Sequence, residues 1–148
     1  FIQQIEKAIQ NSQISSEKIM LELTEGIVIE DIESTIAKMQ ILSDMGIAIS
    51  IDDFGTGYSS LSYLKQLPIS QLKIDRSFVS DISIDPSNEL IVETIINMAR
   101  NLGLAVIAEG VETKEQASFL KQKNCSQFQG YYYYRPVPSA DIENFIKT

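Results

Sequence analysis

Histidine is absent from all 148 residues, and its absence removes whole classes of chemistry. A Ser-His-Asp triad, a Cys-His pair and a histidine metal site are excluded. Catalysis would have to run on carboxylates, lysine or a bound metal, and a metal would meet oxygen donors, favouring Mg²⁺, Mn²⁺ or Ca²⁺ over Zn²⁺. Cysteine occurs once, as Cys125, so no internal disulfide framework exists and a reducing, cytoplasmic setting is expected. Basic residues are outnumbered, 12 Lys+Arg against 20 Asp+Glu, giving a formal charge of −8. That balance argues against DNA as a partner, because phosphate binding by charge needs a basic patch. It leaves room for a small anionic substrate held through metal ions. No apolar run approaches the roughly 18 residues of a membrane span, so no membrane contact is expected from this segment. The opening residues Phe1-Ile2-Gln3-Gln4-Ile5 lack an initiator Met and a basic stretch, and are not expected to be a signal peptide.

What is present is ordinary globular composition, enough for one domain with a single core. Apolar patterning alternates strand and helix from end to end, the pattern of a parallel sheet with helical crossovers. Helical periodicity covers Phe1–Gln10, a segment from about Glu30 to a C-terminal Gly46, and Leu61–Leu67 after a Ser59 or Ser60 cap, ended by Pro68. It returns from Pro86-Ser87 to Gly103, after the capping box Thr113-Lys114-Glu115-Gln116, and after a Ser139 cap. Strands are expected at Ile19–Leu23, Ile47–Ile51, Gln71–Asp75, Leu104–Ala108 and about Ser126 to Gln129, with Tyr131–Tyr134 as a candidate extension. Five βα units fall short of the eight in a closed barrel. On counting alone, an open doubly wound α/β sheet is the expectation.

Each strand runs into a polar residue: Glu22, Asp52 with Asp53, Lys73, Glu109 and Gln129. Taking Asp52 for the acidic pair, successive spacings from Glu22 to Gln129 are 30, 21, 36 and 20 residues, each long enough for a strand and its crossover. Strand ends of a parallel fold open on one face, so these residues converge, and converging carboxylates need a metal, a proton or a cation. The plainer reading is that strand ends turn polar on reaching solvent; five in succession favour a shared site.

The individual residues leave alternatives. Adjacent Asp52 and Asp53 repel unless a cation lies between them, yet Asp53 could instead cap the following helix. Asp53-Phe54-Gly55 spells the kinase metal motif, but a chain without histidine has no kinase catalytic loop. Lys73 either is solvent-exposed, or pairs with Asp75, or sits among the carboxylates, where it could hold a water or a phosphate oxygen. Asp75 and Arg76 read as a structural pair. Glu112 either supports the metal site or occupies the first turn of a helix. Tyr131–Tyr134 read as strand packing ahead of a base-stacking platform.

Taken together, Leu21-Glu22-Leu23-Thr24-Glu25, Ile51-Asp52-Asp53-Phe54-Gly55-Thr56-Gly57-Tyr58-Ser59-Ser60-Leu61, Leu72-Lys73-Ile74-Asp75, Ala108-Glu109-Gly110-Val111-Glu112 and Gln129-Gly130-Tyr131 resemble successive motifs of the EAL domain family. That family hydrolyses the bacterial second messenger cyclic di-GMP to pGpG. The resemblance covers essentially the whole chain and implies a TIM-like (β/α) barrel, here incomplete at about five βα units. It replaces the open-sheet expectation. It further implies that Glu22 ligates one Mg²⁺ or Mn²⁺ ion, that Asp53 and Glu109 hold a second, and that Asp52 bridges them. Catalytic roles fall to Lys73, Glu109 and Gln129. Glu25 with Phe54, Gly55, Thr56 and Gly57 would couple the site to homodimerisation, and Asp75 and Glu112 would support it from behind.

Departures from the family pattern shape the expectation. The Glu-Ala-Leu tripeptide, whose Glu is a metal ligand, is absent, as are the arginine after it and the strand bearing the family's metal-binding Asn. Tyr134 stands where the family more often has a small residue. Residues 1–148 are therefore read as the C-terminal part of a single EAL-type domain, with roughly the first two-fifths of the barrel preceding Phe1. The alternatives are a degenerate EAL module that binds a nucleotide or a protein partner without catalysis, and an unrelated enolase-like carboxylate-metal barrel.

Overall fold

A computed structural model describes residues 1–26, 31–57 and 61–146. Its strands are β1 (Met20–Thr24), β2 (Ala48–Phe54), β3 (Gln71–Ile74), β4 (Ala105–Ala108) and β5 (Gln127–Phe128). All pair in parallel, in the spatial order β1-β2-β3-β4-β5. This order decides between the two architectures. A doubly wound sheet reverses strand order at a switch point, whereas each strand here lies beside its sequence neighbour, as around a barrel. Among the described residues β1 and β5 do not pair, so the barrel is not closed.

The helices are α1 (Ile2–Ser12), α2 (Ile32–Asp44), α3 (Leu61–Leu64), α4 (Arg76–Ser80), α5 (Pro86–Asn101), α6 (Lys114–Gln122) and α7 (Ser139–Ile146). Their ends follow local chemistry. Asp31 accepts from Ser34 N to start α2, and Gly46, at φ 82°, closes it while Ile47 N reaches back to Leu42 O. Asp85 caps α5 ahead of Pro86, and Thr113 with Gln116 completes the expected capping box of α6. The expected Ser59 or Ser60 cap lies outside the described residues. Ser139 forms the first residue of α7.

The sheet has two faces with different chemistry. Ile49, Ile51, Leu72 and Ile74, at most 2% exposed, meet helix residues Met39, Leu42, Val92, Ile95 and Ile96 in the core. At about 25 cal/mol per Å² of buried apolar area, this face drives folding. The alternate residues face the other way. There Ser50 donates to Gln71 Oε1 at 3.2 Å, and Gln71 Nε2 donates to Gln127 Oε1 at 2.9 Å. Each of these three residues lies two positions before Asp52, Lys73 or Gln129, on the same face.

Two expectations need correction. Tyr131–Tyr134 do not extend β5. They form a turn, with Tyr132 N bonded to Val111 O and Tyr133 N to Gly130 O. Gly130 sets this turn: a Cβ there would lie 2.1 Å from Val111 O, so only glycine allows the two backbones to approach. Helix α4 was not foreseen, since Asp75 ends the strand early by accepting from Ser77 N. No helix among the described residues is long and apolar enough to cross a membrane.

Candidate functional site

Strand β2 presents two consecutive acids to one place, which a regular strand cannot do because neighbours point to opposite faces. The register of β2 against β3 shifts between Ile51 and Phe54. Asp53 there adopts φ 53°, a left-handed conformation that Asp tolerates better than most residues. The irregularity re-aims Asp53. One carboxylate oxygen each from Asp52, Asp53 and Glu109 then lies within 4.8 Å of the others.

Lys73, on β3 between them, is the counter-charge. Its Nζ lies 2.7 Å from Glu109 Oε1, 2.8 Å from Glu22 Oε2 and 3.1 Å from Asp52 Oδ1, with its side chain 6% exposed. Burial pulls the ammonium's pKa down. Its hydrogen bonds to Glu109, Glu22 and Asp52 outweigh burial and hold it above the ordinary lysine range. Lys73 is therefore a fixed cation, and its partners are the converging carboxylates. Asp75 caps α4 instead, accepting from both Ser77 N and Ser77 Oγ. Asp53 moves the other way: burial first, then the charges of Asp52 and Asp75, raise its pKa, and a hydrogen bond with Asp75 adds to the rise while Lys73 opposes it.

The donor set fits a hard divalent cation. The three carboxylate oxygens are close enough to share an ion bonded at about 2.0–2.6 Å, and all are oxygen donors. Among the described residues Glu22 is not part of that trio; it reaches the cluster through Lys73.

Behind the cluster, Glu25 is 3% exposed and its Oε2 accepts from Gly55 N at 3.0 Å and Gly57 N at 3.1 Å. A Cβ on Gly57 would fall 2.9 Å from that carboxylate. Thr56 Oγ1 donates to Asp53 O at 2.8 Å, and Phe54 is buried. The acid at the end of β1 thus holds the loop after β2.

Gln129 lines an adjoining cavity of about 430 Å³ together with Glu109, Glu112, Arg76, Tyr131 and Tyr134. Its backbone is tied to β4, as Gln129 N donates to Ala108 O and its carbonyl accepts from Val111 N. Glu112 pairs with Arg76 at 2.9 Å, so Arg76 joins the cavity wall and not Asp75. The sequence reading missed this link, the Ser50-Gln71-Gln127 ladder and the buried role of Gln116. The ladder carried a signal, since three polar residues recur two places before site residues. The Arg76–Glu112 pair, 36 residues apart, carried none.

Comparison with known proteins agrees with this geometry. The EAL domain model matches residues 1–136. The chain belongs to the EAL domain family. It is 42% identical over 147 residues to the cyclic di-GMP phosphodiesterase NbdA of Pseudomonas aeruginosa, covering 99% of this chain and 19% of NbdA. It is 44% identical over 128 residues to the probable cyclic di-GMP phosphodiesterase PdeG of Escherichia coli, covering 86% and 25%. This EAL chain thus spans about a fifth to a quarter of those relatives' length. Among solved structures, the PaMucR phosphodiesterase in complex with c-di-GMP superposes with a TM-score of 0.93 at 40% identity, covering 95% of this chain and 57% of that one. Klebsiella pneumoniae BlrP1 with manganese and cyclic di-GMP gives 0.84 at 31%, covering 91% and 34%. The TIM-type arrangement of the sheet is the EAL arrangement.

Proposed function

We propose that this EAL chain is the C-terminal part of a phosphodiesterase domain that hydrolyses cyclic di-GMP to pGpG. The observation that carries the reading is the convergence of Asp52, Asp53 and Glu109 around one point, with Lys73 buried between Glu22, Asp52 and Glu109. The family and the ligands of its relatives support it.

In this proposal Asp52, Asp53 and Glu109 would hold Mg²⁺ or Mn²⁺, with Glu22 as a further ligand. Bound there, divalent ions supply an activated water and offset the charge that builds on an in-line phosphodiester displacement. The chain's own residues do the rest. Lys73, fixed by three carboxylates, directs a permanent positive charge at a water or phosphate oxygen. Gln129 orients the substrate from the cavity wall, and Asp75 and Glu112 brace the loops behind Asp53 and Arg76. Glu25, through the Phe54–Gly57 loop, couples the site to a homodimer. Residues 1–148 alone carry weak or no turnover, since the remaining metal ligands belong to the preceding part of the domain.

Hydrolysis of cyclic di-GMP with Mn²⁺ tests this, comparing residues 1–148 with an N-terminally extended form. The extended form is expected to release pGpG, and Asp52→Ala in it to abolish turnover. An inert extended form with every ligand in place refutes the enzyme reading, and an active Asp52→Ala variant refutes the metal assignment.

A further inference from the structure

Gln116 does more than a capping box requires. The box needs its side chain only to accept from Thr113 N, which it does at 2.9 Å. The same Oε1 also accepts from Glu112 N at 2.7 Å, and Nε2 donates to Ser80 O at 3.3 Å, at the end of α4. The residue is 6% exposed. One buried amide therefore ties three segments together: the start of α6, the turn after β4, and α4 after β3.

Two of these segments, α4 and the turn after β4, are also joined by the Arg76–Glu112 ion pair, which walls the cavity beside Glu109 and Gln129. That ion pair is exposed, with side chains 64% and 41% accessible, and by itself would hold nothing in place. Glu109, in contrast, is anchored independently of Gln116. Its N–H bonds to Ile74 O within the sheet ladder, and the following turn is pinned by Val111 N to Gln129 O.

From this division of labour we infer that Gln116 is a positioning residue for substrate: it sets Glu112, and through it Arg76, against the cavity, while leaving the metal ligands untouched. The inference rests on the proposed phosphodiesterase reading only for the identity of the substrate. Substitution should then separate two properties that a merely structural residue would move together. Gln116→Met is expected to raise KM for cyclic di-GMP about tenfold, the loss of roughly one charge-assisted hydrogen bond, with kcat little changed. Mn²⁺ affinity should match wild type.

The test combines three measurements. Turnover of the extended form reads KM against kcat. Titration calorimetry reads Mn²⁺ affinity. Amide hydrogen exchange on residues 1–148 reads protection of residues 110–113, and does so without any substrate. Gln116→Met should speed exchange across 110–113, and Gln116→Glu, which keeps the acceptor for Glu112 N and Thr113 N but loses the donor to Ser80 O, should restore protection at 110–113 and recover KM only in part. Gln116→Asn keeps the amide but withdraws it by one methylene, and decides the matter if Gln116→Met does not fold. Unchanged exchange at 110–113, KM and Mn²⁺ affinity moving together, or a Gln116→Glu variant as impaired as Gln116→Met would each overturn the inference. An inert wild-type extended form would count against the phosphodiesterase reading, and the exchange and Mn²⁺ arms would still decide the role of Gln116.

Discussion

Replacing Lys73 with Met removes one charge and keeps most of the stem that packs against the sheet, so it isolates the electrostatic role of the ammonium. Three carboxylates lie 2.7, 2.8 and 3.1 Å from Nζ. Breaking a buried ion pair by removing one partner costs about 3–5 kcal/mol. Glu22 is 49% exposed and can rehydrate, whereas Asp52 and Glu109, at 23% and 17%, cannot do so fully. The lower end applies, about 3 kcal/mol in metal-free protein, which for a chain of this size lowers Tm by about 6–12 °C. The expected remedy is a different cation. Millimolar Mn²⁺ should stabilise Lys73→Met more than wild type, because the ion then enters the carboxylates without competing against a resident ammonium. Urea unfolding with and without Mn²⁺ reads both quantities. A variant within about 0.5 kcal/mol of wild type in metal-free buffer, the range of ordinary surface substitutions, would refute the view that Lys73 holds the cluster together. So would equal Mn²⁺ stabilisation of the two proteins.

Two further outcomes follow from buried groups. Glu25→Ala leaves the amides of Gly55 and Gly57 without their carboxylate partner and should cost about 2–3 kcal/mol; limited proteolysis should show new cleavage near residues 54–57, and an unaltered digestion pattern would count against the anchor. Burial raises the Cys125 pKa, so the folded state favours the neutral thiol. Its contribution to stability is complete below the ordinary cysteine pKa of about 8.5 and is lost as pH rises from there through the folded value. Alkylation in native buffer at pH 8 should be far slower than in urea, and equal rates would contradict the burial.

Strand positions were legible because β-branched runs ending in acids look alike whatever the topology. Strand order was not, since periodicity does not record which strand neighbours which; the motif resemblance carried that part. Tyr131–Tyr134 read as strand because aromatic residues favour extended chain, but the contact between Gly130 and Val111 lies in tertiary space and redirects them. The partners of Lys73 were half legible. Asp75, two residues on, shares its face only while the strand continues, and β3 stops at Ile74. Asp52 and Asp53 were identified as a pair, yet the bulge that lets both serve one site had no mark in the residues themselves.

Sequential strand order has a temporal consequence. Because each strand pairs with the one before it, position along the chain becomes position around the site mouth: Glu22, then Asp52 and Asp53, Lys73, Glu109 and Gln129. During synthesis the acidic side chains of β1 and β2 would emerge before Lys73 exists to pair with them. Until β3 docks, Glu22 and Asp52 therefore lack the lysine that pairs with them in the finished site.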